Sequence, residues 1–157
     1  MKKFETKEIK HWRVAKKTKN LRAKPLISVM VDKSITSKFL LDTLEGKETL
    51  GDGAVICIGE ANDAWQQMPK KLLGKYDVIE IDDDGWMVCQ PKPDNSVNCF
   101  EVAEENFYII GQWGEATEEG PVQRGVSGDF ICQNREEPED VWIVARKIFT
   151  NTYNIIS

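Results

Sequence analysis

Gly51-Asp52-Gly53-Ala54-Val55-Ile56-Cys57 and Gly128-Asp129-Phe130-Ile131-Cys132 are two writings of one pattern. In both, an acidic polar loop follows and leads to a Trp, Trp65 or Trp142. From the Trp onward the register is shared: Leu72 and Phe149 stand seven residues after it, Tyr76 and Tyr153 eleven, Ile79 and Ile156 fourteen. Self-similarity of this kind marks a repeat architecture. A third, looser copy is read over 85–110, where Trp86-Met87-Val88-Cys89-Gln90 resembles Phe130-Ile131-Cys132-Gln133 and Phe100-Glu101-Val102-Ala103 resembles Trp142-Ile143-Val144-Ala145.

Each copy has a physical reading. Gly-Asp makes a turn, because Gly accepts positive φ and Asp hydrogen-bonds its own backbone, and the apolar run after it is a strand. Val141-Trp142-Ile143-Val144, β-branched and aromatic, pairs back on that strand. Ala145, Ile148, Phe149 and Thr152 then follow a three-and-four spacing, the mark of a short helix with one side on the hairpin. Pro69 suits the first turn of the matching helix in the earlier copy. Upstream, residues 26–31 read as a buried strand, and 39–50 as either a helix through Phe39, Leu40 and Thr43 or a hairpin turning at Glu45-Gly46, the hairpin being favoured because Gly46 leads into the Gly51-Asp52 strand. The class expected is α+β: a β-rich compact domain of two or three strand-loop-strand-short-helix units near 51–79, 85–110 and 128–156. Trp65, Tyr76, Trp142, Phe149 and Tyr153 form its repeated core.

Charge divides the chain differently. Residues 1–24 carry ten Lys or Arg against Glu5 and Glu8, a net of +8 within an overall −5, so the remaining residues carry −13. That predicts a basic N-terminal arm over 1–24 and a single compact domain over 25–157. Such an arm can contact nucleic acid, an acidic partner or the protein's own acidic face. At physiological salt the Debye length of about 8 Å restricts any phosphate attraction to the arm itself, so nucleic-acid binding is expected to be weak at most. No apolar stretch of secretory length follows Met1, and no apolar run is long enough to span a bilayer, so no membrane association is expected. A cytoplasmic, reducing location is. Cys57, Cys89, Cys99 and Cys132, spaced 32, 10 and 33 residues apart, then read as free thiols and not as a disulfide framework or a tetrathiolate zinc site.

With these residues in view, the C-terminal copy resembles the PGDYG family of phage and bacterial proteins, named for a Pro-Gly-Asp-Tyr-Gly signature that begins a strand. Ser127-Gly128-Asp129-Phe130-Ile131 keeps Gly-Asp and an aromatic but lacks the Pro and the final Gly, and Ile148-Phe149-Thr150-Asn151-Thr152-Tyr153 is similar to the family's Phe-x-x-Thr-Tyr ending. The resemblance implies a phage or prophage setting, with the host cytoplasm as location. It implies no chemistry and no catalytic residues.

The residues themselves point away from catalysis. His11 is the one histidine, without a neighbour fixed by sequence, and no phosphate-cradling Gly-rich loop is present. Asp52 and Asp129 recur at strand-entering turns, where backbone capping accounts for them; as an acid and base in an acid-dependent hydrolase they form the alternative reading. Trp86 and Trp113 lie outside the shared register. Trp113, between Gly111-Gln112 and Gly114-Glu115, is the first choice as a binding hot spot. Candidate binding residues are therefore Trp113, Trp86, Arg124, Asp52 and Asp129, on a phage-type accessory protein that binds a macromolecule or small ligand and can self-associate. No cofactor or metal is expected. Stability should accordingly be indifferent to chelator and to dithiothreitol. Bound zinc in purified protein, or a fall in melting temperature on reduction, is the contrary result.

Overall fold

A computed structural model describes residues 1–26, 28, 36–37, 40–43 and 46–157. The strands are β1 (Lys2–Lys3), β2 (Arg13–Lys17), β3 (Leu21–Pro25), β4 (Thr36–Ser37), β5 (Leu40–Thr43), β6 (Gly46–Thr49), β7 (Val55–Ile58), β8 (Ala64–Gln67), β9 (Tyr76–Ile81), β10 (Met87–Pro91), β11 (Ser96–Glu101), β12 (Asn106–Thr117), β13 (Gly120–Val126), β14 (Phe130–Asn134), β15 (Glu137–Val144) and β16 (Tyr153–Ile155). Two complete helices are described, α1 (Pro69–Lys75) and α2 (Arg146–Thr152). The expected α+β class is thereby corrected to mostly β, with 55% strand against 14% helix. Each helix stops after seven residues because Tyr76 or Tyr153 passes directly into extended backbone. In addition, 106–110, expected to close the third copy, and 111–126, outside every expected copy, together form the two-stranded β12–β13 hairpin. Of the strand expected over 26–31, only Leu26 and Ser28 are described and both are helical. β5 and β6 pair antiparallel with Thr43 opposite Gly46, as the hairpin reading requires, while Phe39, Leu44 and Glu45 lie outside the described residues.

The chain divides into a middle unit, Thr18–Asn95, and a terminal unit, Met1–Lys17 with Ser96–Ser157. The middle unit has a five-stranded sheet in the order β8-β7-β3-β10-β9, and the terminal unit one in the order β15-β14-β11-β2-β16. Position for position the two sheets agree. β8 answers to β15, β7 to β14, β3 to β11, β10 to β2 and β9 to β16, with every neighbouring pair antiparallel in both. The registers match residue for residue: Cys57 opposes Ala23 and Trp65, and Cys132 opposes Cys99 and Trp142. Likewise Cys89 opposes Leu21 where Ala15 opposes Val97, and Pro91 opposes Tyr76 where Lys17 opposes Tyr153.

Chain order reveals what this means. The repeat runs from β2 to β9 and again from β10 to β16, yet the first strand of each copy lies in the sheet of the other. Two copies exist, not three. The segment 85–110, read as a loose third copy, is the opening of the second: Trp86-Met87-Val88-Cys89 answers to Trp12-Arg13-Val14-Ala15. Residues 1–24, expected as an arm, supply β1 and β2 to the terminal unit and most of β3 to the middle unit.

The helix-side cores also correspond. Leu21, Ala23, Val55, Cys57, Leu72, Tyr76 and Cys89 pack with Trp65 in the middle unit; Val97, Cys99, Phe130, Cys132, Phe149, Tyr153 and Ala15 pack with Trp142 in the terminal one. All four cysteines are buried and none is in a disulfide. On the opposite face, Leu26, Leu41, Ile56, Ile58 and Trp86 form one cluster, and Val102, Phe107, Ile109, Ile131, Val141 and Ile143 the other. No helix among the described residues is long and apolar enough to cross a membrane.

Phe149 is the densest point of the terminal core, stacked on Phe130 at 3.8 Å and on Tyr153 at 4.8 Å between centroids. Phe149→Ala should lower unfolding free energy by about 3–5 kcal/mol, and Trp142→Ala by less because Trp142 keeps partial exposure. Urea denaturation of the two variants, with Trp142→Ala equal to or worse than Phe149→Ala as the contrary outcome, checks the ranking.

Candidate functional site

The two units differ in the hairpin between the third and second strands of each sheet. Leu41 opposes Glu48 in β5–β6, and Ile109 opposes Gln123 in β12–β13. Leu41 and Ile109 are fully buried equivalents; Glu48 and Gln123 are buried polar equivalents, each aimed at its unit's outer hairpin strand. Yet Glu48 follows Leu41 by 7 positions and Gln123 follows Ile109 by 14. The terminal unit's hairpin is therefore seven residues longer, while the middle unit spends eight more residues between Ala23 and Leu41 than the terminal unit does between Cys99 and Ile109.

Part of that extra length is a bulge. Val122 opposes Ile110 on one side and Glu115 on the other, so Gly111-Gln112-Trp113-Gly114 is looped out of the ladder. Only glycine fits at both ends of the bulge. Gly114 has φ +155 and a Cβ there would sit 2.5 Å from the Val122 carbonyl oxygen, while a Cβ on Gly111 would sit 2.7 Å from the Val141 carbonyl oxygen. Gln123 fastens the bulge from beneath. Its buried amide donates from Nε2 to the Trp113 carbonyl at 2.8 Å and accepts at Oε1 from the Ile143 N–H at 2.9 Å. Gln112 Nε2 donates to Glu137 Oε1 at 3.3 Å. Trp113 is left half-buried on this frame.

Charged groups flank the bulge. Arg124 donates through Nη1 to Glu115 Oε2 at 3.0 Å and through Nη2 to Oε1 at 3.5 Å. Towards the hairpin end, the Tyr108 hydroxyl donates to Glu119 Oε1 at 2.8 Å and Lys3 lies 3.1 Å from Oε2; these two donors hold the Glu119 carboxyl below its ordinary value. Trp113 and Arg124, two of the sequence candidates, thus share one hairpin.

The other candidates are placed elsewhere. Trp86 is 6% exposed and belongs to the middle unit's core, with the Lys24 ammonium 4.9 Å and the Arg22 guanidinium 5.6 Å from its ring. Its ring is thus covered and not a ligand platform. Asp129 accepts from the Val126 N–H at 2.9 Å and from the Arg146 N–H at the start of α2 at 3.0 Å, which is the backbone capping read from the repeat. Asp52 is exposed in its turn, as is His11 on the terminal unit. Among the described residues no three His, Cys, Asp or Glu side chains gather where a metal ion could be held. Several cations of the basic segment are engaged locally: Lys2 with Glu104, Lys17 over the Tyr153 ring, and Arg13 on the Ser157 carbonyl.

The sequence reading missed Glu48 and Gln123, whose equivalence emerges only once the two hairpins are aligned on Leu41 and Ile109. Comparison with protein families, curated proteins and solved structures finds no match to this chain.

Glu48 differs from Gln123 in being ionisable. Burial pushes its carboxyl up to about 7, only partly offset by the hydrogen bond from Gln66 Nε2. A carboxyl whose folded pKa lies above its unfolded value binds protons more tightly in the native state. Its contribution is therefore full below about pH 4.5 and is lost as pH rises towards and through 7. Glu48→Gln should raise stability at pH 8 by roughly 2–3 kcal/mol and flatten that part of the pH profile. Denaturation at pH 5 and pH 8 checks it; a variant less stable than wild type at pH 8 is the contrary result.

Proposed function

We propose that this chain is a non-catalytic binding protein that grips a partner protein with the β12–β13 hairpin, using Trp113 as its anchor. The observation that carries this reading is the seven-residue elaboration of one hairpin in a duplicated fold. Insertions in one copy of a repeat are where binding surfaces are commonly built, and bulges re-aim side chains at such places. Two obligatory glycines and a buried Gln123 amide fix the backbone from which Trp113 projects. An aromatic on a backbone fixed before binding loses less freedom when it docks than one on a loop that must first be ordered. Arg124 and Glu115 supply the polar margin around it. The likeness of Ser127–Ile131 and Ile148–Tyr153 to the PGDYG family supports a phage or prophage setting, in which the partner is a host or phage protein. The engagement of Lys2, Arg13 and Lys17 within the terminal unit supports weak nucleic-acid binding at most.

Co-purification from the native host followed by mass spectrometry identifies the partner. Trp113→Ala should then weaken its binding at least about thirtyfold while leaving the melting temperature within a few degrees, since hot-spot truncations cost 2 kcal/mol or more. Partner affinity unchanged in Trp113→Ala overturns the proposal.

A further inference from the structure

The middle unit ends its sheet on β9, which pairs with β10 along one side and has no strand on the other among the described residues. Exposed edge strands are ordinarily shielded by lysines, prolines, extreme shortness or inward charges, because their unpaired N–H and C=O groups accept any extended chain. β9 has none of the first three, and it carries a bulge at Ile79, between Val78 opposite Cys89 and Glu80 opposite Val88, which puts Asp77 and Glu80 on one side of the strand. Its sequence Tyr76-Asp77-Val78-Ile79-Glu80-Ile81 contains no Lys or Pro and runs six residues, twice the length of its counterpart β16. Beyond the buried Tyr76 every residue is exposed, with Val78 at 41%, Ile79 at 52% and Ile81 at 68%. Such β-branched residues on a solvent edge contribute little to the sheet they belong to and much to one that is extended.

The strand's charge selects the occupant. Asp77 and Glu80 are exposed on β9, and Asp83 and Asp84 follow in the turn to β10. Lys92 lies 3.9 Å from Asp77. A second copy of β9 would bring carboxylates against carboxylates, which is destabilising across paired strands, whereas a chain with Lys or Arg at those places would pair favourably. The counterpart β16 continues Asn154-Ile155-Ile156 where β9 has Asp77-Val78-Ile79, so the acidic character is particular to this edge.

We infer that the β9 edge is a docking surface for an extended segment of a partner protein in which Lys or Arg alternates with aliphatic residues, added to the sheet as a sixth strand. Main-chain hydrogen bonds to β9 hold such a segment, and Asp77 and Glu80 choose it over neutral or acidic ones. This surface is in the middle unit and does not depend on the Trp113 hairpin of the terminal unit.

Full-length protein is titrated with a fluorescein-labelled peptide of alternating lysine and valine and with its glutamate-valine counterpart, by anisotropy at 150 mM salt. The lysine peptide should bind at least about tenfold tighter, and amide hydrogen exchange should slow in 77–81 when it is bound. The doubly reversed variant Asp77→Lys/Glu80→Lys, whose side chains are exposed, should exchange the two peptides' order. The hydrogen-exchange arm needs no variant, so a misfolded mutant does not decide the matter. Equal affinity for both peptides, protection confined to segments other than β9, or a self-associated protein with 77–81 already protected each overturns the inference.

Discussion

Everything in this fold rests on the pairing of β2 between β11 and β16 and of β10 between β3 and β9. Each strand sits inside the five-stranded sheet of the copy to which it does not belong in sequence. Withdrawing either would leave two neighbours with open ladders and an unfilled core position, Ala15 in one case and Cys89 in the other. The exchange gives the charge-rich first residues a place in a sheet: β2 is an interior strand with buried Ala15 at its centre and Arg13, Lys16 and Lys17 towards its ends.

The paired cores show how much latitude the shared register leaves. Val55 and Leu72 in the middle unit become Phe130 and Phe149 in the terminal one, while Cys89 shrinks to Ala15. Larger rings on the hairpin and helix are accompanied by a smaller side chain on the exchanged strand, which is how close-packed interiors accept volume changes without moving the backbone. Leu72 and Phe149, and Tyr76 and Tyr153, keep their positions because the seven-residue helix must seat one buried residue on the sheet and then turn at once into a strand.

Much of this was legible in the residues. Gly-Asp followed by an apolar run, then Trp, Leu or Phe, and Tyr, marked two copies and their core, and Pro69 marked the start of α1. The opening of each copy was not, because Trp12-Arg13-Val14-Ala15 and Trp86-Met87-Val88-Cys89 share only Trp and Val, and Arg13 and Lys16 make β2 look like a solvated arm. A short interior strand needs only its central residue, Ala15, in the core, so charged residues at its ends, with Lys17 over the Tyr153 ring, do not exclude it. Trp113 stood out by composition alone; that its bulge requires Gly111, Gly114 and Gln123 could be known only from the backbone approaching them. Trp86 could not be told from Trp113 by sequence, since its burial depends on Arg22 and Lys24 from a strand sixty residues earlier.

Strand exchange also sets an order of events during synthesis. β2 emerges before the middle unit, but its neighbours β11 and β16 lie at 96–101 and 153–155, so it must wait while more than half the chain is made. The middle unit, by contrast, is complete once β10 has left the ribosome, and nothing in its sheet awaits later residues. Contacts so distant in sequence form slowly, and an unpaired interior strand is exposed to wrong partners meanwhile. Arg13, Lys16 and Lys17 give the waiting strand the positive charge that keeps nascent segments from sticking to one another. The basic N-terminus thus serves as a built-in gatekeeper for the last sheet to close.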